Sequence, residues 1–82
     1  MAWVYILRGS SGRYYIGSTE NLARRLKEHR RGSNHTTRRL GDSLELVASK
    51  IVADGAEARR LEKTLKRKKN PRLAIHALER VP

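Results

Sequence analysis

The chain has 82 residues, with 19 lysines and arginines against 8 acidic residues, and a net charge of +11. It contains no cysteine, which excludes a disulfide framework and any thiolate metal site. The length predicts a single domain over residues 1–82, and the charge predicts a polyanionic partner, most often a nucleic acid. We expect a cytoplasmic protein without membrane contact, because neither a secretory signal nor an apolar run of roughly 20 residues is present.

The first elements in chain order are two strands that form a predicted β-hairpin. The segment AWVYIL is apolar, β-branched and aromatic, as expected of a buried strand, and RYYIG indicates a second strand. The glycines and serines of GSSG, residues 9–12, supply the turn between them. Alternation places Trp3, Tyr5 and Leu7 on one face of the first strand and the intervening residues on the other.

From about Thr19 the apolar period lengthens to that of a helix. Leu22 and Leu26 are four residues apart, which predicts an amphipathic helix. Ser18 or Thr19 is expected to cap its start, and Gly32 to end it in a left-handed conformation. Polar and basic residues then predict a loop, and LELVASKIV indicates a third strand.

Asp54 and Glu57 have the spacing of a capping box and predict a second helix over about residues 55–69. The Asn-Pro pair that follows is expected to stop this helix. A short third helix is predicted within a C-terminal extension, about residues 71–82. The apolar stripe of the second helix comprises Ala58, Leu61 and Leu65. The partly buried residues of the third helix are expected to be Leu73, Ile75, Ala77 and Leu78.

This order of elements predicts an α+β fold, in which helices flank a three-stranded antiparallel sheet. Such a fold can bring several polar side chains to one cleft. Tyr5 and Tyr15 can share a face of the hairpin, and Arg25 and His29 share a helix face because they are four residues apart. Glu62 lies at the edge of the apolar stripe of the second helix.

Each of these side chains also has a purely structural interpretation, which the spacing leaves open. The two tyrosines suit half-buried core positions, and Arg25 suits a solvated helix face. His29 suits the negative end of the first helix dipole. Glu62 suits an ion pair with Lys66, four residues later.

The ordered segments VYI, YIG, NLARRLKEH and EARRLEKTLKRKK resemble the motifs of the GIY-YIG nuclease family. The resemblance spans about residues 3–69 and is strongest to small stand-alone bacterial members. Trp3 occupies the position of the first motif's glycine, and the asparagine that often follows the family's second helix has no secure counterpart, although Asn70 is near. The catalytic residues that the resemblance implies are Tyr5, Tyr15, Arg25, His29 and Glu62.

The resemblance implies an endonuclease that hydrolyses DNA phosphodiester bonds, in repair, recombination or other DNA processing. It implies one divalent cation, Mg²⁺ with Mn²⁺ as a substitute, and Glu62 as its ligand. Arg25 would neutralise charge on the phosphoryl oxygens. Tyr5 would activate water, helped by His29 or Tyr15, if nearby positive charge lowers its pKa from about 10.

The remaining cations predict a DNA contact surface without sequence specificity. RNA stays open as a substrate, as does the oligomeric state, and a protein partner is the expected source of any target specificity. The alternative is a non-catalytic nucleic-acid-binding module that retains the fold, which would not need Glu62 among so many cations. The predicted surface comprises Arg30, Arg31, His35, Arg38, Arg39, Arg59, Lys63, Lys66 and Lys69, with Arg60, Arg67 and Lys68 beside them.

Overall fold

A computed structural model describes residues 1–30, 44–68 and 70–80, and for Arg30 and Arg80 the backbone alone. Within these ranges, the antiparallel sheet has the strand order β2-β1-β3 and is accompanied by three helices, which confirms the predicted α+β fold. Among the helices described, none is long and apolar enough to cross a membrane. The elements are β1 (Ala2–Gly9), β2 (Tyr14–Thr19), α1 (Leu22–Arg30), β3 (Leu44–Val52), α2 (Gly55–Lys66) and α3 (Pro71–Arg80).

The central strand β1 divides its side chains between the two faces of the sheet, as the alternation predicted. Val4 and Ile6 belong to an aliphatic core that α2 and α3 cover, and we call this side the aliphatic face. Tyr5 and Leu7 lie on the opposite side, against His29 of α1, and we call it the tyrosine face. Each of these four side chains is at most 1% exposed, so both faces of the sheet are buried along the middle of β1.

The helices α2 and α3 cover the aliphatic face with residues spaced seven apart in α2 and four apart in α3, which lie on one side of each helix. Ala58 and Leu65 of α2, and Ala74 and Leu78 of α3, are each 1% exposed within this core. The prediction that Leu73 is partly buried is wrong, because its side chain is 53% exposed. Ala74 and Leu78 lie on the side of α3 that packs on the sheet. Leu73 lies on a different side of the helix, so its side chain points outward.

Each helix begins after a residue whose side chain caps its first turn. Asn21, Asp54 and Asn70 accept bonds from backbone N–H groups of α1, α2 and α3, at 3.0, 2.8 and 2.9 Å. The predicted cap at Asp54 is therefore confirmed. The predicted cap at Ser18 or Thr19 is wrong, because both residues still pair with β1.

The helix α2 ends at Lys66, about one turn before the predicted end. The backbone N–H of Arg67 bonds to the carbonyls of Lys63 and Thr64, both at 3.3 Å, which tightens the last turn. The chain then turns directly into α3, whose first residue is Pro71. Gly32, the predicted end of α1, lies outside the described residues.

Candidate active site

A glycine allows two tyrosine rings to lie over the tyrosine face of the sheet. Gly17 of β2 is the register partner of Tyr5 in β1. A Cβ atom on Gly17 would stand 2.6 Å from the Tyr5 hydroxyl oxygen and 2.8 Å from Cε1 of Tyr15. The ring centroids of the two tyrosines are 6.2 Å apart. Any larger residue at this position would therefore displace at least one of the rings.

His29, in the last turn of α1, closes over the same two tyrosines. Its Nε2 lies 2.8 Å from the hydroxyl oxygen of Tyr5, and its side chain is 2% exposed. Its ring centroid is 5.7 Å from that of Tyr5 and 5.3 Å from that of Tyr15, with the Tyr15 contact edge-on. His29 is thus a buried partner of the two tyrosines. Its position near the end of α1 is consistent with this role but does not by itself require it.

Burial keeps both members of this hydrogen bond neutral. The pKa of His29 is lowered by burial and by the charge of Arg25, against a smaller opposing effect of Glu28. Burial also raises the pKa of Tyr5 to about 12, although Arg25 opposes the shift. The tautomer of neutral His29 sets the direction of this bond: an unprotonated Nε2 accepts from the Tyr5 O–H, and a protonated Nε2 donates to the Tyr5 oxygen. The expectation that positive charge lowers the pKa of Tyr5 is wrong, because the loss of solvation is larger.

Arg25 brings a permanent positive charge to the tyrosines from one turn earlier in α1. Its guanidinium interacts with the Tyr5 phenol, which contributes most to raising the pKa of Arg25. Its Nη1 lies 3.0 Å from Oε2 of Glu28. Its Nε atom is buried and finds no hydrogen-bond partner among the described residues. The half-buried guanidinium is therefore held between Tyr5 and Glu28, with part of its bonding capacity unused.

Exposure decides which members of the cluster a substrate can touch. The side chain of Tyr5 is 0% exposed and that of His29 is 2% exposed. Tyr15 and Arg25 are half-buried and form the accessible part of the cluster. The Tyr15 hydroxyl also interacts with the Tyr5 phenol. An incoming phosphate would meet Tyr15 and Arg25 first, with the Tyr5–His29 pair behind them.

Of the five predicted catalytic residues, Glu62 is the one for which the described contacts include none with this cluster. It lies on α2, where its side chain is 19% exposed and its Oε1 is 3.5 Å from Nζ of Lys66. The alternative interpretation of Glu62 as a helix ion-pair partner therefore describes its contact in this structure.

The predicted metal ligand is a single carboxylate, that of Glu62. Across the described residues, no three histidine, cysteine, aspartate or glutamate side chains group as a metal cage would. A hard cation such as Mg²⁺ keeps several waters and needs only one or two protein carboxylates. The half-buried Glu62 fits such a cation on these grounds, provided that Lys66 leaves its carboxylate.

Only part of the predicted DNA contact surface lies within the described residues. Four of the cations are exposed on α2, namely Arg59, Arg60, Lys63 and Lys66. Arg67, directly after the end of this helix, is exposed too. Lys68, between α2 and α3, is exposed too. The structure does not describe the side chains of the remaining members of the predicted surface, which are Arg30, Arg31, His35, Arg38, Arg39 and Lys69.

Sequence reasoning missed one residue that positions the cluster. Glu28 pairs with Arg24 at 3.5 Å and with Arg25 at 3.0 Å. Its i+4 and i+3 spacing from these arginines was the available signal. The close approach at Gly17 was also missed, since it depends on the register of β1 with β2.

Several relatives share most of the chain. A UPF0213 protein of Streptococcus pneumoniae serotype 4 is 39% identical over 72 residues, which cover 85% of this chain and 71% of that protein. A UPF0213 protein of Photorhabdus laumondii is 36% identical over 77 residues, covering 89% and 74%. One from Orgyia pseudotsugata multicapsid polyhedrosis virus is 35% identical over 80 residues, covering 96% and 77%.

The comparison with known families covers most of the chain. No solved structure gives a significant match to the chain. Residues 1–74 match the family described as GIY-YIG catalytic domain, which is most of the chain. The protein therefore belongs to the GIY-YIG family, a nuclease family whose members are generally metal-dependent.

Proposed function

We propose that this protein is a metal-dependent endonuclease that hydrolyses DNA phosphodiester bonds with little intrinsic sequence specificity. The observation that carries the proposal is the 2.8 Å hydrogen bond between the Tyr5 hydroxyl and Nε2 of a buried, neutral His29. A surface that only binds phosphate has no use for a buried proton acceptor beside a cation. The bond therefore supports catalysis over binding alone.

Arg25 and Tyr15 would hold the scissile phosphate. Both are accessible from solvent as half-buried side chains of the tyrosine cluster. A guanidinium donates to phosphate oxygens in a fixed geometry and stays charged throughout the reaction. Its charge would stabilise the negative charge that develops on the phosphoryl oxygens in the transition state.

The proton of the attacking water would pass inward through the cluster. As the water oxygen bonds to phosphorus and the bond from phosphorus to the 3′ oxygen breaks, the Tyr15 hydroxyl takes a proton from the water. Tyr15 gives its own proton to Tyr5, and Tyr5 passes its proton to Nε2 of His29, 2.8 Å away. A phenol with a pKa raised to about 12 serves this relay as a neutral donor and acceptor and not as a phenolate base.

Glu62 would hold the divalent cation, Mg²⁺ or Mn²⁺. When bound, the cation supplies a positive charge that stabilises the leaving 3′ oxygen. The pairing of Glu62 with Lys66 at 3.5 Å means that this lysine must release the carboxylate, and a DNA phosphate is an alternative partner for it. Glu62 thus fits a metal ligand that becomes accessible when DNA binds.

The exposed cations of α2 support DNA as the partner, together with the net charge of +11. Contacts of lysine and arginine with phosphates bind without reading sequence. We propose roles in repair, recombination or other DNA processing, with target choice supplied by a protein partner and RNA as a secondary substrate.

A non-catalytic nucleic-acid-binding module is the second candidate function. The ion pair between Glu62 and Lys66 favours it, as does the complete burial of Tyr5. The first observation leaves the Glu62 carboxylate paired with a lysine, and the second keeps Tyr5 out of contact with solvent in the free protein. This candidate requires binding without cutting on every substrate.

The test is cleavage of labelled single-stranded, duplex, flap and branched DNA, and of RNA, at low salt in Mg²⁺, Mn²⁺ or EDTA. Wild type should cut in either metal and not in EDTA. Arg25→Ala should cut on the order of 10²- to 10³-fold more slowly, as expected when one transition-state donor is removed. Glu62→Ala should abolish cutting while DNA affinity stays close to that of wild type, since no cation is removed.

The matched control is Arg24→Ala. Arg24 neighbours Arg25 and also pairs with Glu28, but its side chain is 74% exposed. This variant should cut within a few fold of wild type. Folded wild type that binds every substrate and cuts none would refute the nuclease and establish the binding module.

A further inference from the structure

A cleft of about 390 Å³ opens on the aliphatic face, between the β1–β2 hairpin and the helices α2 and α3. Its lining includes Ile16, Leu65 and Ala74, the last two of which are 1% exposed. Tyr14 of β2 lines the cleft from the hairpin side and is half-buried. A volume in this range is typical of pockets that take small ligands, roughly 300–1,000 Å³.

The rim of this cleft is positively charged. Lys66 at the end of α2 and Lys68 just beyond it both line the cleft, and both are exposed. None of the described residues that line it is acidic. The cleft therefore combines an apolar interior with two cations at its mouth, which is complementary to a ligand with a flat apolar group and an attached phosphate.

Two contacts connect the cleft to the candidate active site. Tyr15 lines the cleft and also contacts Tyr5 and His29 in the tyrosine cluster. Lys66 lines the cleft and pairs with Glu62 at 3.5 Å. Because β2 is an edge strand of the sheet, a polymer that crosses this edge can reach both sites.

We propose that the cleft binds an unpaired nucleobase of the nucleic-acid strand whose neighbouring phosphate lies at Arg25. The inference rests on the proposed function for its choice of partner. The ring of Tyr14 and the aliphatic side chains contact the faces of the base, and Lys66 and Lys68 contact the flanking phosphates. A base inside a duplex is stacked and paired, so the cleft selects single strands, flaps and other DNA with unpaired nucleotides.

The test compares affinities for a labelled thymidine decamer and for an abasic decamer of the same length and charge, by fluorescence anisotropy in EDTA. Stacking of one base is worth roughly 1–3 kcal/mol, so wild type should prefer the thymidine decamer by about 5- to 150-fold. Tyr14→Ala should bring this ratio close to one. Lys68→Gln should weaken both decamers similarly and preserve the ratio, because it removes a phosphate contact alone.

Arg72→Gln is the control for lost charge, since Arg72 is exposed on α3 and does not line the cleft. It should weaken binding less than Lys68→Gln. Because Tyr14→Ala removes a half-buried ring, folding is checked by circular dichroism. A titration of ¹⁵N-labelled wild type with thymidine monophosphate also maps the site without any variant. Amide shifts should appear at Tyr14, Ile16, Lys68 and Ala74, and inorganic phosphate should not reproduce those of Ile16 and Ala74.

A wild-type ratio near one, a ratio unchanged in folded Tyr14→Ala, or shifts confined to other regions would each overturn the cleft proposal. These measurements need no cleavage, so they separate this proposal from the proposed function. A protein that prefers the thymidine decamer but never cuts keeps the cleft and loses the nuclease. A protein that cuts with a wild-type ratio near one keeps the nuclease and loses the cleft.

Discussion

The two faces of the sheet bury different kinds of side chain, although one strand supplies both. On the aliphatic face, Val4 and Ile6 pack against α2 and α3 in a core without charged groups. On the tyrosine face, Tyr5 is equally buried but is hydrogen-bonded to His29 and lies beside the charge of Arg25. The first arrangement gains stability from apolar burial, whereas the second must offset the desolvation of a phenol and an imidazole.

The difference indicates which face carries stability and which carries chemistry. Desolvation shifts the pKa values of Tyr5 and His29 in opposite directions, and each shift favours the neutral form. A small protein buries a limited apolar surface, and a buried polar cluster occupies positions that apolar side chains could otherwise fill. Perturbed titratable groups of this kind concentrate at functional sites, so we expect substitutions on the two faces to affect different measurements.

The largest expected effect is on the aliphatic face. Leu78→Ala should lower the free energy of unfolding by about 2–5 kcal/mol, because it leaves a cavity in a fully buried site. Urea denaturation measures this loss, and the cleavage rate of the folded fraction should stay close to that of wild type. Leu73→Ala on the same helix is the matched control, since Leu73 is 53% exposed and should lose less than about 1 kcal/mol. Equal losses in the two variants would contradict the placement of α3.

An intermediate effect is expected on the tyrosine face. Gly17→Ala places a Cβ atom 2.6 Å from the Tyr5 hydroxyl oxygen, so the ring must move and the bond to His29 must lengthen. Overpacking of this kind costs about 1–3 kcal/mol of stability. We also expect the cleavage rate to fall at least tenfold, by roughly 1.4 kcal/mol or more in transition-state stabilisation.

Gly55→Ala is the control for this substitution. Apart from its chain neighbours and the backbone of its own helix, no atom of the described residues lies within 4 Å of a Cβ at Gly55, and this residue begins α2. Alanine there should leave cleavage unchanged and should be neutral or stabilising by less than about 1 kcal/mol. Normal cleavage by Gly17→Ala would mean that the Tyr5–His29 bond is not needed for the reaction.

The smallest expected effect is a pH dependence of the tyrosine face. The folded-state pKa of His29 lies below the unfolded value near 6.5, so the folded protein binds fewer protons between these values. Stability is therefore complete above about pH 6.5 and declines as the pH falls toward the lowered pKa, by at most about 1.4 kcal/mol per pH unit for one group. Cleavage by the folded protein should decline only at lower pH, as the pH falls through the lowered pKa itself, because protonated His29 cannot accept a proton.

Urea denaturation of wild type and His29→Gln between pH 7 and pH 5 measures this slope. The variant should lose the part of the slope that His29 supplies, while the contributions of other groups remain. A histidine proton titration by NMR reports the pKa directly. A His29 pKa at or above 6.5 would show that burial does not control its protonation.

Local patterns were sufficient to predict most of the fold. The β1 alternation, the third strand over residues 44–52, the cap at Asp54 and the stripe of α2 are all present. These features depend on residues close together in the sequence, where the periods of strands and helices apply directly. The errors lie at element ends, where Thr19 stays in the sheet and Asn21 caps α1 instead.

The sequence by itself determined which polar residues are candidates for the site: the strand and helix periods allow Tyr5, Tyr15, Arg25 and His29 to meet, and the resemblance to the GIY-YIG motifs implies them as catalytic residues. Only the tertiary structure decided how they are arranged. It buries Tyr5 and leaves Tyr15 accessible. Tyr5 and His29 are 24 positions apart in the chain, and their 2.8 Å bond exists because α1 folds back onto β1. Burial and pKa depend on every element that surrounds a group, and no local pattern in the sequence records them.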